Sequence, residues 1–169
     1  EMPQEALDAI VDAIAAEFSA HAQELAALAV EETGFGNVRD KTEKNRFASQ
    51  TVAQTVKPMK TRGVLKECPE EKLWEIGVPV GVIAAIVPST NPTSTVCYKA
   101  MIALKAGNTI VFSPHPKTIG CTRKAAEIVA KAAESAGAPK GAVNCLSIPS
   151  LQGCQELMGA QQVSLILAT

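Results

Sequence analysis

The sequence predicts an α/β fold, a parallel sheet with helices on its faces, preceded by helices and a β-hairpin. Three observations carry this. Short runs that are apolar throughout begin at Gly81 and recur to the end of the chain. Amphipathic stretches separate them, and Pro or Gly closes nearly every segment. Strands without polar alternation are covered on both faces, and alternation with helices implies crossover connections and parallel pairing.

Before Gly81 the pattern is helical and then strand-like. Ala6, Ile10, Ala13, Ile14 and Phe18 recur with a period near 3.6, as do Leu25, Leu28 and Ala29. Gly34 and Gly36 break the pattern, and a third helix is expected over residues 40–56, stopping before Pro58. Val64-Leu65 and Leu73-Trp74-Glu75-Ile76 flank a charged turn, which reads as a hairpin. Strands are then expected over residues 81–87, 109–112, 142–148 and 163–168, with helices over 94–104, 117–136 and 151–159. Three segments result: helices over 1–62, a hairpin over 63–80, and a βαβαβαβ core over 81–169.

Composition excludes several classes. The 169 residues are 47% apolar and 20% charged, with a formal net charge of −1. This is the balance of a globular domain with a real core. No Lys/Arg cluster exceeds a pair, so neither nucleic acid nor an anionic membrane is the expected partner. Residues 1–20 are amphipathic rather than signal-like, and the apolar stretch 78–87 is too short to span a bilayer. Cys68, Cys97, Cys121, Cys145 and Cys154 form no CxxC, and the two histidines are far apart, so no metal site is expected. Reduced thiols in a cytoplasmic protein are the expectation. The chain lacks an initial Met and ends on a buried-strand pattern, so it reads as a fragment.

Open α/β sheets bind ligands in the crevice beyond the carboxyl ends of their strands. Four polar segments fall there: Pro88-Ser89-Thr90-Asn91-Pro92-Thr93, Ser113-Pro114-His115-Pro116, Ile148-Pro149-Ser150 and Ala168-Thr169. Helix N-termini follow the first three and favour an anion. Each segment alone reads as a helix cap; together they favour a nucleotide pocket. G-x-G-x-x-G is absent. Gly137-Ala138-Pro139-Lys140-Gly141 is Gly-rich, but it follows a helix and precedes a strand, so its default role is a helix C-cap and turn.

Residues 81–95, 106–116, 136–141 and 165–169 resemble the aldehyde dehydrogenase superfamily, as do Glu31-Glu32-Thr33-Gly34 and residues 41–48. The T-N-P-T and S-P-H-P pair is similar to the CoA-acylating branch, including the N-terminal half of bifunctional aldehyde-alcohol dehydrogenases. The resemblance implies a Rossmann-like cofactor-binding domain. Its activity would be NAD(P)-dependent oxidation of a small aldehyde to its acyl-CoA through a Cys thiohemiacetal and thioester. It implies NAD as cofactor with NADP not excluded, coenzyme A as co-substrate, and a homo-oligomer with the hairpin at the subunit interface. A cytoplasmic enzyme is implied, with enclosure in a bacterial microcompartment left open.

The resemblance also assigns residues. Asn91 is the expected oxyanion contact, with Thr90 the alternative at the superfamily's register. Pro88, Ser89, Thr90, Asn91, Ser113, His115, Pro116, Gly141 and Thr169 are the expected cofactor contacts. Ser113 and Pro116 stand where non-acylating relatives carry Lys and Glu, so ribose recognition is expected to be looser. The nucleophilic Cys is expected downstream of Thr169, since none of the five cysteines here matches its place. His115 is expected at the adenosine, with helix capping as the alternative; His21 is expected on the surface, and Trp74 in hairpin packing. The competing readings are a nucleotide-binding module without catalysis, a non-acylating aldehyde dehydrogenase, and a helix-rich assembly module.

Overall fold

The computed structural model describes residues 2–169. The chain opens with α1 (Gln4–Ala20), whose Leu7, Ile10, Val11, Ile14 and Phe18 form one buried stripe. Next comes α2 (Ala22–Thr33), ended by Gly34 in the left-handed region. Asn37 caps α3 (Val38–Arg46) by accepting from Asp40 N. The chain then runs through a π-helical segment, Phe47–Val52, into α4 (Ala53–Val56). The expected third helix is thus present but starts earlier and is interrupted by a π segment.

The hairpin is formed by β1 (Gly63–Cys68) and β2 (Leu73–Gly77), paired antiparallel. Trp74 does not pack in it: the side chain is 64% exposed, among exposed Leu65, Leu73 and Ile76. A two-stranded ribbon has no second layer to bury such residues against.

The core elements are β3 (Val82–Ile86), α5 (Pro92–Lys105), β4 (Thr109–Ser113), α6 (Ile119–Ser135), β5 (Val143–Cys145), α7 (Leu151–Gly159) and β6 (Val163–Leu167). The sheet order is β5-β4-β3-β6. Every pairing is parallel, as the apolar runs predict. Only the third strand is much shorter than expected. Ala84 and Ala85 of β3 are fully buried between the neighbouring strands and the helical layer. Gly81 enters β3 with φ 121°, and a Cβ there would lie 2.8 Å from Ser164 Oγ.

Steps from β3 to β4 to β5 run in one direction, and α5 and α6 pack together with α1 on one face. The chain then returns through α7 to place β6 on the far side of β3. Right-handed crossover puts α7 on the opposite face, where it touches β3 and β6. The topological switch point therefore lies between β3 and β6. Buried Lys105 fastens α5 to α1 through an ion pair with Asp8, and to the end of α4 through a 2.7 Å bond to Lys57 O. No described helix is long and apolar enough to cross a membrane.

Candidate functional site

Both strands at the switch point end in polar residues. After β3 the chain runs through buried Val87 and the Pro88–Asn91 turn into α5, with Pro92 at its first turn. Asn91 precedes the helix but makes no side-chain cap bond, so its amide is left for other partners. After β6 comes Thr169, whose Oγ1 is 3.0 Å from Tyr98 Oη on α5. Asn91, Ser94, Thr95, Tyr98 and Thr169 line an open cleft of about 520 Å³, flanked on its other side by Glu43, Lys44, Phe47, Ala48 and Val52. The π segment thus forms one wall of the cleft; single π turns occur often at functional positions.

A buried cation holds the switch point together. Lys99 on α5 donates to Ile86 O at 2.8 Å and Leu167 O at 2.7 Å, the last carbonyls of β3 and β6. Its side chain is fully buried, and that burial pushes its pKa down to about 8. The strand-end turn is held from α3. Lys41 donates to Thr90 O at 2.7 Å and Lys44 to Asn91 Oδ1 at 3.0 Å, while Thr93 Oγ1 donates to Asn45 Oδ1 at 2.8 Å. Burial, and then the neighbouring Lys44 charge, lower the Lys41 pKa.

The second strand-end segment occupies the same edge. Ser113 is buried and its carbonyl accepts from Val87 N at 3.0 Å, so β3 and β4 end in register. Exposed His115 accepts from Lys117 N at 3.1 Å through Nδ1, and its carbonyl accepts from Thr118 N. These bonds are those of a cap before α6. His115 and Pro116 do not line the 520 Å³ cleft.

Two expectations change. Gly141 stands ahead of β5 with φ 81°, at the amino edge of the sheet, and so does not join the other candidates. The α6 N-terminus is not open to an external anion, because Glu32 on α2 fills it: its carboxylate accepts from Gly120 N and Cys121 N, both at 2.7 Å. At α7 the Ser150 side chain accepts from Gly153 N at 2.9 Å. Pro88, Ser89, Thr90, Asn91 and Thr169 lie at the carboxyl edge, with Asn91 and Thr169 meeting in the cleft.

No cysteine lines the cleft among the described residues. Burial pushes the Cys121 thiol up to about 12, aided by Glu32, and raises that of buried Cys97 as well. No cluster of His, Cys, Asp and Glu with metal-holding geometry occurs among the described residues.

Lys41, Lys44, Asn45, Tyr98 and Lys99 were not among the candidate site residues read from the sequence, although residues 41–48 carried part of the resemblance. The available signal was the spacing of 41, 44 and 45, which places three polar groups on one helical face. The profile of the aldehyde dehydrogenase family matches residues 1–169. The bifunctional aldehyde-alcohol dehydrogenase AdhE of Escherichia coli K12 is 45% identical over 98% of the chain, which spans 19% of that protein. An acetylating aldehyde dehydrogenase from Geobacillus thermoglucosidasius is 51% identical with a TM-score of 0.97, over 98% of this chain and 37% of that one. A Rhodopseudomonas palustris propionaldehyde dehydrogenase solved with bound propionyl-CoA is 28% identical with a TM-score of 0.83, over 99% of this chain and 37% of that one. With its whole described length carrying this fold and this profile, the chain belongs to the aldehyde dehydrogenase family.

Proposed function

We propose that the chain is the cofactor-binding part of a longer enzyme that oxidises a small aldehyde to its acyl-CoA with NAD(P), and runs the reverse. The observation that carries this reading is the meeting of Asn91 and Thr169 in one cleft at the switch point, where open α/β sheets bind dinucleotides. The cleft's polar groups suit a nucleotide and a carbonyl: hydroxyls at Ser94, Thr95, Tyr98 and Thr169, an amide at Asn91, and the Lys44 ammonium beside the Glu43 carboxylate. Relatives named as acetylating, and one holding propionyl-CoA, support coenzyme A as co-substrate.

In this reading a Cys outside residues 1–169 adds its thiolate to the aldehyde carbon, and the carbonyl π pair becomes an oxyanion. Asn91 Nδ2 donates to that oxyanion, lowering the cost of the charge where it develops. NAD(P), which Pro88–Asn91 and Thr169 would hold at the strand ends, would supply the hydride acceptor that turns the adduct into a thioester, and coenzyme A would supply the thiol that accepts the acyl group and frees the Cys. Lys99 keeps the two strand ends at fixed separation, and the exposed hairpin is the proposed oligomerisation element.

The test follows NADH formation with acetaldehyde, with and without CoA. The longer protein should require CoA and yield acetyl-CoA, and residues 1–169 alone should give no turnover. CoA-independent formation of acetate at a matching rate sinks the acylating assignment, and turnover by residues 1–169 alone sinks the placement of the nucleophile.

A further inference from the structure

One face of α3 is aimed at the turn after β3. Lys41, Lys44 and Asn45 reach Thr90 O, Asn91 Oδ1 and Thr93 Oγ1 in that order, so residues at i, i+3 and i+4 hold three of four consecutive residues. The contacts bridge 47 to 49 residues of sequence. Asn45 is itself pinned, with Nδ2 donating to Ala22 O at 2.9 Å. Its Oδ1 accepts from Thr93, so both ends of this buried amide are used. Asn45 is therefore fixed, while Lys44 is exposed and reaches the turn from the helix surface.

Among these contacts the one to Asn91 is chemically directional. An ammonium donates and never accepts, so only the oxygen of the amide can face Lys44. Turning the amide over would set an NH2 against an NH3+. With Oδ1 held at 3.0 Å by Lys44, Nδ2 has one long contact, 3.5 Å to Thr90 Oγ1. Asn91 lines the cleft, so this nitrogen keeps donor capacity for an oxygen bound there. Lys41 and Lys44 also put two positive charges behind the turn. Lys41 is buried, and no carboxylate is paired with it among the described residues. Positive charge behind an amide donor strengthens its hydrogen bond to an anion.

We propose that Lys44 is a positioning residue of this site: it holds the Asn91 amide oxygen so that the amide nitrogen is presented to the oxyanion that develops in the cleft. The proposal rests on the reading of Asn91 given above. It predicts an effect on kcat that depends on the sign of the group at position 44, which a merely space-filling residue would not show.

The experiment compares Lys44→Met, Lys44→Arg and Lys44→Glu in the full-length protein, by steady-state kinetics with acetaldehyde and CoA and by crystal structures. In Lys44→Met, kcat should fall about 10- to 100-fold, short of the ~10²- to 10³-fold loss from deleting an oxyanion donor outright, with KM within about 2-fold. Lys44→Arg should recover most of kcat. Lys44→Glu should lie below Lys44→Met, because a carboxylate accepts from Nδ2 and turns the amide the wrong way. Crystals of Lys44→Met should show the Asn91 side chain in another rotamer, with an unchanged fold. An unchanged kcat, a loss that Arg does not recover, or an Asn91 side chain that keeps its place in Lys44→Met overturns the proposal. Should the wild-type protein lack CoA-dependent turnover, the functional reading falls by itself, and the rotamer of Asn91 still decides the role of Lys44.

Discussion

Lys99 Nζ stands 2.7 Å from the carbonyl oxygen of Leu167, so a side chain on α5 holds the end of a strand 68 residues further along the chain. The same ammonium holds Ile86 O. Replacing it with Met keeps the stem and removes the donors. Lys99→Met should destabilise the fold by about 2 kcal/mol, since two strand-end carbonyls lose their partner. Urea unfolding measures it; a midpoint equal to wild type would mean that water replaces the ammonium without loss.

Lys99 also sets a pH dependence. Its pKa in the folded state is about 8 against an ordinary 10.5, through burial. Between these values the unfolded chain binds more protons than the folded one, so this group makes stability rise with pH across that window. Lys41, lowered by burial and by Lys44, adds in the same direction. Unfolding free energies measured from pH 7.5 to 10.5 should show a shallower rise in Lys99→Met than in wild type.

Glu32 should matter to stability although it is exposed. Burial works to raise its pKa, but backbone N–H bonds from Cys121 and Gly120 outweigh it and hold the carboxyl below 4.5. The stability it contributes is present above the unfolded value and is lost as pH falls through the folded one. Glu32→Ala should cost about 1 kcal/mol at pH 7, the typical value of a helix N-cap. The gap between thermal melts of the two proteins should close as pH falls below 4.5 and through the lowered folded-state value; a gap that does not narrow with acidification would assign the effect to packing.

His21 behaves oppositely. Glu24 at 2.7 Å holds its pKa above 6.5, against the lowering effect of burial, and Glu17 at 3.3 Å helps. A raised base stabilises the fold fully below its unfolded pKa, and this is lost as pH rises through the folded value. NMR titration should place the His21 midpoint above 6.5, and Glu24→Gln should bring it down. An unmoved midpoint in that variant would remove Glu24 as the cause.

The exposed hairpin makes a prediction about assembly. Trp74 is 64% exposed, beside exposed Leu73, Ile76, Val78 and Val80. If the hairpin pairs with another subunit, Trp74 emission should move to shorter wavelength as protein concentration rises, and Trp74→Asp should shift gel-filtration profiles toward monomer. Emission independent of concentration, together with a profile unchanged by Trp74→Asp, would exclude the hairpin as interface.

The sheet was legible because its strands are apolar throughout; β3 and β4 are largely buried, whereas Leu165 and Ile166 of β6, read from the sequence as a buried strand, are 44% and 46% exposed. Residues such as Ile83, Ala84 and Ala85 leave no polar alternation to confuse with a surface strand. The strand-end position of Asn91 and Thr169 followed from that reading, although their meeting depends on β6 lying beside β3. Trp74 was misjudged because an aromatic in a strand pattern reads the same whether its cover is the same subunit or another molecule. The π segment has no residue signature, since it differs from its neighbours only in hydrogen-bond register. The contacts of Lys44 with Asn91 and of Glu32 with Gly120 join residues 47 and 88 positions apart, which a periodicity cannot reveal.

The order of strands has a consequence in time. Among the described residues β3 is the first strand of this sheet to be synthesised and β6 the fourth, yet the two lie side by side. At roughly 5–20 residues per second, a ribosome leaves one edge of β3 unpaired for several seconds before Val163–Leu167 emerges. During that interval the backbone of Val82–Ile86 is open on that side to any other extended chain. The Tyr98–Thr169 wall is completed only when β6 pairs with β3, so a nascent chain acquires its cleft and covers that edge of β3 in the same event.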